Sequence, residues 1–165
     1  MKRIAFLLTL LIYLACSRNV ASAQFPRQQD SLGHMRGVKV LVLNSDDELT
    51  AADLTHDVVQ TDVELKLRSS GVLVLSGKEW PEGYQKAVLV VRLNFEKHEN
   101  IVAAAISVEL WRVIEGGSAP YVSTWEVGGV GLFGASVVRA GVRERVGDHV
   151  AKFANDYLTA NPKTK

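Results

Sequence analysis

Apolar positions in residues 54–75 recur first at helical spacing and then at every residue. Val59, Val63 and Leu67 lie four apart, with Val58 and Leu65 widening the stripe, while Asp57, Glu64, Lys66 and Arg68 lie mostly off it. That period belongs to a helix with one buried face. Thr55 fits the N-cap, because its hydroxyl can accept from a free amide of the first turn. Leu54 and Val59 are spaced as a hydrophobic staple. Asp57 near the start and Lys66 and Arg68 near the end match the helix dipole. Gly71 suits the left-handed position that stops a helix. Val72-Leu73-Val74-Leu75 then reads as a strand covered on both faces, as does Val38 to Leu43 upstream. Strand, helix and strand predict one βαβ unit with parallel strands and a right-handed crossover.

Downstream the period changes to two. Lys86 to Glu96 places Val91, Leu93 and Phe95 on one side and Arg92, Asn94 and Glu96 on the other. After a polar turn at Lys97 to Asn100, Ile101 to Ile114 alternates again. Val102, Ala104, Ile106, Val108 and Leu110 share a side opposite Ala103, Ala105, Ser107, Glu109 and Trp111. Two such runs joined by a short polar turn predict an antiparallel hairpin. Tyr121 to Val127 reads as a fifth strand, with Trp125 as a core anchor. Gly128 to Gly134 reads as a connection, and a helix follows to about Leu158. Its stripe is Val138, Val142, Val146, Val150, Phe153 and Tyr157.

The predicted order is β-α-β-β-β-β-α. It implies an α+β two-layer sandwich: a mixed five-stranded sheet with two helices on one face. The uncovered face would carry Arg92, Asn94, Glu109, Trp111 and Glu126, which are the candidate binding residues.

The first residues change the setting. Lys2 and Arg3 precede an apolar run from Ile4 to Ala15, and Ala21-Ser22-Ala23 offers small residues to a signal peptidase. This is the pattern of a secretory signal peptide over residues 1–23, with an apolar run too short to span a bilayer. A rival cut lies before Cys16, where lipidation would tie the chain to a membrane. Tyr13 departs from the leucine usual in that motif. Residues 24–36 are polar and read as a flexible leader, and residues 37–162 as one α+β domain.

Cleavage after Ala23 removes the single cysteine, so no disulfide is expected. It also removes Lys2, Arg3 and Arg18 but no acidic residue. The 19 basic against 18 acidic residues of the full chain thus become a small acidic excess, which gives no electrostatic case for nucleic acid. The destination is the periplasm or the exterior.

Motifs of chemistry are sparse. Gly129-Val130-Gly131-Leu132-Phe133-Gly134 matches G-x-G-x-x-G between a strand and a helix. No parallel strand follows to complete a dinucleotide site. Tight strand-to-helix packing explains these glycines better. Anion capture by Gly129, Gly131 and Gly134 at a helix start is the functional alternative. His34, His56, His98 and His149 show no metal-ligand spacing, and the acidic Ser45 to Glu48 run lacks the pattern of a calcium loop. G-x-S-x-G is absent. No cofactor is expected, and the pattern points away from an enzyme. Trp80 and Trp111 are candidate ligand platforms.

Three segments carry a resemblance. They are Thr61-Asp62-Val63-Glu64-Leu65-Lys66-Leu67-Arg68 with Gly71 and Val74-Leu75; Thr124-Trp125-Glu126 with Gly128, Val130-Gly131 and Gly134; and Phe153-Ala154-Asn155-Asp156-Tyr157-Leu158 with Asn161-Pro162-Lys163. Together they resemble an uncharacterised family of small secreted bacterial proteins, which brings no activity with it. In element order the chain is also similar to envelope accessory domains, such as the N-terminal domain of the Tol-system β-propeller protein and outer-membrane assembly lipoproteins.

The expected function is an exported, non-catalytic envelope module that binds an unidentified envelope protein or ligand through the open sheet face. The alternative is a small secreted hydrolase using Glu109 and Glu126 on that face. A homodimer through the same face is a third expectation.

Overall fold

The computed structural model describes residues 28–44, 49–50, 52–76, 86–112 and 121–162. The signal segment, Cys16, the acidic run at 45–48, and Trp80 with its surrounding loop lie outside these residues. The chain begins with a 3-10 turn, Gln28–Leu32. It continues through β1 (Lys39–Val42), α1 (His56–Ser69), β2 (Ala87–His98), β3 (Ile101–Arg112), β4 (Val122–Gly134) and α2 (Val138–Ala160).

α1 forms where its stripe and caps place it. The Thr55 side chain accepts from the Val58 amide at 3.4 Å, and Val59, Val63 and Leu67 are buried. Leu54 is buried beside them, and Gly71 takes a φ of +86° past the end of the helix. Leu65 departs from the expected stripe and is 58% exposed.

The sheet has four strands in the order β1-β2-β3-β4. β1 runs parallel to β2, and the other two pairs are antiparallel. The β2–β3 hairpin closes at His98 opposite Ile101. In the core layer Leu89 lies opposite Leu110, and Leu110 opposite Trp125. Both helices pack on this side, with the α2 residues Val138, Val142, Val146, Val150, Phe153 and Tyr157 all buried. Trp125 meets the edge of Phe153 at 5.2 Å between ring centroids, which fixes α2 against β4.

The expected fifth strand, Val72 to Leu75, is reduced to a single parallel bridge between Val38 and Val74. The direction is the one expected of the βαβ unit, but the length is not. Carbonyls facing one side of a strand recur every second residue. The Val38 carbonyl accepts from the Leu75 amide at 2.9 Å. The next two in the row are taken by side chains of α1. Gln60 Nε2 donates to the Val40 carbonyl at 3.3 Å, and His56 Nε2 lies 3.2 Å from the Val42 carbonyl. Helix side chains therefore seal the edge that a longer strand would have used. Gly37 also lets the two segments close up, since a β-carbon there would lie 2.4 Å from the Leu73 carbonyl oxygen.

Two further boundaries differ from expectation. β4 runs on through the glycines to Gly134, so Gly128 to Gly134 is strand and not a loop. Residues 28–36, which read as part of a flexible leader, are packed on the domain. Leu32 and Met35 are buried, Asn161 Nδ2 donates to the Leu32 carbonyl at 2.7 Å, and Tyr157 Oη donates to the Met35 carbonyl at 3.0 Å. Arg112 donates to the Ser31 carbonyl from the end of β3.

Candidate functional site

Alternation places Arg92 and Asn94 on β2, Ser107, Glu109 and Trp111 on β3, and Glu126 on β4 on the side away from the helices. In register, Arg92 lies opposite Ser107, Asn94 opposite Ala105, and Glu109 opposite Glu126. A shift in the β3–β4 register falls between Leu110 and Trp111, so Trp111 lies opposite Ser123.

Three of the expected binding residues come together around one carboxylate. Glu109 Oε2 accepts from the Trp111 indole N–H at 2.8 Å, and Oε1 accepts from the Ser107 hydroxyl at 3.1 Å. Arg92 Nη1 lies 4.0 Å from Oε1, and the Arg92 guanidinium carbon lies 6.0 Å from the centre of the Trp111 ring. The carboxylate thus orients both the indole and the guanidinium. The Arg92 side chain keeps 40% of its surface exposed beside this carboxylate.

Asn94 and Glu126 are exposed, and neither is among the groups held by the Glu109 carboxylate, although Glu126 is its neighbour in register. The two glutamates sit directly opposite each other, an arrangement of like charges that costs stability on a sheet. Ser107 was missed as a site residue. The only trace of it in the sequence is a small polar residue on the outward side of β3, two before Glu109.

The face is not uniform. Val90, on the same side as Arg92, is fully buried. At the far end Val130 and Leu132 are 76% and 75% exposed and Ile101 is 53% exposed, with the small residues Ala103 and Ala105 between the strands. One end of the face is shielded and polar, and the other is bare and apolar.

The glycine cluster sits differently from expectation. Gly129 and Gly131 pair with Ile106 and Ala104 inside the sheet, and α2 begins only at Val138. The amides of Gly129 and Gly131 are therefore strand amides and not those of a helix start. Packing accounts for Gly131 and Gly141. A β-carbon at either would come within 2.8 Å of the Phe133 ring, which lies between strand and helix.

A second polar cluster lies on the helix side. Asp156 accepts from Trp125 Nε1 at 3.0 Å, Gln29 Nε2 at 2.7 Å and Lys152 Nζ at 3.0 Å. Burial alone would push its carboxyl up. The three donors and the lysine charge outweigh that and hold it below the ordinary carboxylate range. This cluster pins the 3-10 turn to α2 and β4. His149 is held neutral to lower pH by burial, with Arg145 adding to the effect. Among the described residues, no three histidine, cysteine, aspartate or glutamate side chains gather as a metal site. No helix among them is long and apolar enough to cross a membrane.

No protein-family model and no curated protein matches the chain. Solved structures of similar outline include two lipoproteins and a dodecameric protein. One is a point variant of the PelC dodecamer from Paraburkholderia phytofirmans, with a TM-score of 0.44 and 15% identity over 76% of this chain and 91% of that one. Another is a minor lipoprotein from Acinetobacter baumannii, at 0.37 and 12% over 79% and 96%. A third is the rare lipoprotein B from Shewanella oneidensis, at 0.35 and 14% over 74% and 92%. All three scores are below 0.5, so no ligand, partner or assembly passes from them to this chain.

Proposed function

We propose that the chain is an exported, non-catalytic binding or accessory module of the bacterial envelope, with the reverse face of its sheet as the contact surface. The observation that carries this reading is the pre-oriented Arg92–Glu109–Trp111 cluster beside the bare Val130, Leu132 and Ile101. Arginine and aromatic anchors next to apolar area are what protein interfaces favour. The export pattern at residues 1–23 supplies the compartment. The partner is an envelope protein or a ligand of the envelope, and membrane attachment follows only from lipidation at Cys16.

The test is crosslinking capture by the tagged, exported chain in its own envelope. Arg92→Ala with Trp111→Ala should abolish recovery of the species that the unaltered chain captures, with an unchanged circular dichroism spectrum. Equal recovery would remove this face from consideration.

One observation favours a second reading, a small hydrolase: Glu109 and Glu126 are direct cross-strand neighbours. Against it, both Glu109 oxygens already accept hydrogen bonds. Turnover of an ester, glycoside or peptide substrate that disappears in Glu109→Gln or Glu126→Gln would establish the enzyme.

A further inference from the structure

The two edges of the sheet are treated differently. The β1 edge is sealed by Val72 to Leu75, Gln60 and His56. Among the described residues the β4 edge is sealed only at its beginning. Ser31 Oγ donates to the Thr124 carbonyl at 2.9 Å, and the Glu126 amide donates to Gln28 Oε1 at 3.4 Å.

Amides of a strand alternate between its two neighbours. The Glu126 amide points outward, so those of Gly128, Val130 and Leu132 point outward too. The parity holds beyond the strand, where the Ala135 amide points inward to the Asn100 carbonyl at 2.8 Å. Gly128, Val130 and Leu132 are exposed, and among the described residues nothing covers their outward backbone groups.

We propose that this edge pairs with the same edge of a second copy, in antiparallel register about Val130. The proposal goes beyond the envelope-binding reading and does not depend on it. Three features select a second copy as the occupant. Residues 127–134 carry no charged side chain, so nothing in the segment repels its own copy. Edge strands that must stay single are usually guarded by lysine, proline or a bulge, and this one has none of them beyond Glu126. The sequence also complements itself about Val130. Val130 meets its counterpart, and Leu132 faces Gly128 of the other copy, whose missing side chain leaves room for it. On the opposite side Gly129 faces Gly131. Exchange at Gly128, Val130 and Leu132 makes about six backbone hydrogen bonds. It joins two four-stranded sheets into one, sets the two Val130 side chains next to each other at the seam and leaves the reverse face itself open.

The paired strip is narrow. Five residues span about 17 Å along one strand edge, a strip whose area is on the order of 200 Å² and so far below the roughly 800 Å² per partner of a standard interface. The dimer is therefore a concentration-dependent one.

The experiment is sedimentation equilibrium of the purified exported chain across a concentration series, with two variants. The unaltered chain should pass from monomer to dimer mass as concentration rises. Val130→Lys places two like charges opposite each other at the two-fold axis, and it should remain monomeric throughout with an unchanged circular dichroism spectrum. Val130→Cys should form a disulfide-linked dimer on mild oxidation faster than Leu65→Cys, an exposed position on α1. A chain that is monomeric at every concentration overturns the proposal. So does a dimer that survives Val130→Lys, or crosslinking at 130 no faster than at 65. Loss of envelope capture in the Arg92 and Trp111 variants leaves these readouts unmoved, so the two readings fail separately.

Discussion

The indole N–H of Trp125 donates to Oδ2 of Asp156 at 3.0 Å, between the sheet and α2. Asp156 is the buried charged residue among the described ones, and Gln29 and Lys152 complete its set of donors. Hydrogen bonds to a charged partner contribute about 1.5–3 kcal/mol each. Asp156→Ala should lower stability by at least that amount in urea denaturation, because it leaves the Trp125 donor buried without an acceptor.

The same carboxyl gives the stability a defined acid limb. Its folded value is depressed, so its contribution is complete above the unfolded value of about 4 and is lost as pH falls through the folded one. Urea midpoints of the unaltered chain should therefore fall below about pH 4. Asp156→Asn should be less stable at neutral pH and should show a shallower fall on the acid side. Parallel acid limbs in the two proteins would remove Asp156 as their source.

Asn44 extends β1 with its side chain. Its Oδ1 accepts from the Leu93 amide at 2.8 Å, and its Nδ2 donates to the Leu93 carbonyl. The amide group thus does for β2 what one more residue of strand would do. Asn44→Asp keeps the acceptor and loses the donor, setting a carboxylate against a carbonyl. It should cost about 1–3 kcal/mol, more than Asn44→Ser, as read from chemical denaturation midpoints.

Glycines in this chain separate by what surrounds them. A β-carbon at Gly37 would meet the Leu73 carbonyl oxygen at 2.4 Å, which is backbone and cannot swing away. Gly37→Ala should destabilise by about 1–3 kcal/mol. At Gly147, inside α2, a β-carbon meets nothing within 4 Å. Gly147→Ala should stabilise by roughly 0.5–1 kcal/mol, through helix propensity and a less flexible unfolded chain. Thermal midpoints moving in opposite directions are the expected signature.

Leu32 is fully buried in the 3-10 turn and belongs to the main core. Leu32→Ala should cost about 2–5 kcal/mol. A cost near zero in denaturant titration would mean that the turn is not held in solution.

The legible parts of the fold are those whose burial follows a period. α1, the β2–β3 hairpin, Trp125 as an anchor and the α2 stripe are all where alternation or helical spacing puts them. The cluster of Arg92, Glu109 and Trp111 was legible for the same reason, since a period of two places all three on one side. The misplaced parts lack such a period. In β4 the core side carries Gly129, Gly131 and Phe133 while the outer side carries Val130 and Leu132, which inverts the usual alternation and reads as a loop. Val72 to Leu75 looks like a full strand because nothing in its own residues shows that it meets β1 only at Val38, or that further along β1 the Val40 and Val42 carbonyls are occupied by Gln60 and His56 of α1. Gln28 and Gln29 look like a tail because a polar residue gives no local sign of a distant partner.

The clamp at Gln28 and Ser31 also gives the polypeptide a fixed mooring. Gln28, the first of the described residues, thereby stands on the β4 flank of the domain. A reporter joined at Gln28 would therefore stand beside β4, across the whole width of the sheet from β1.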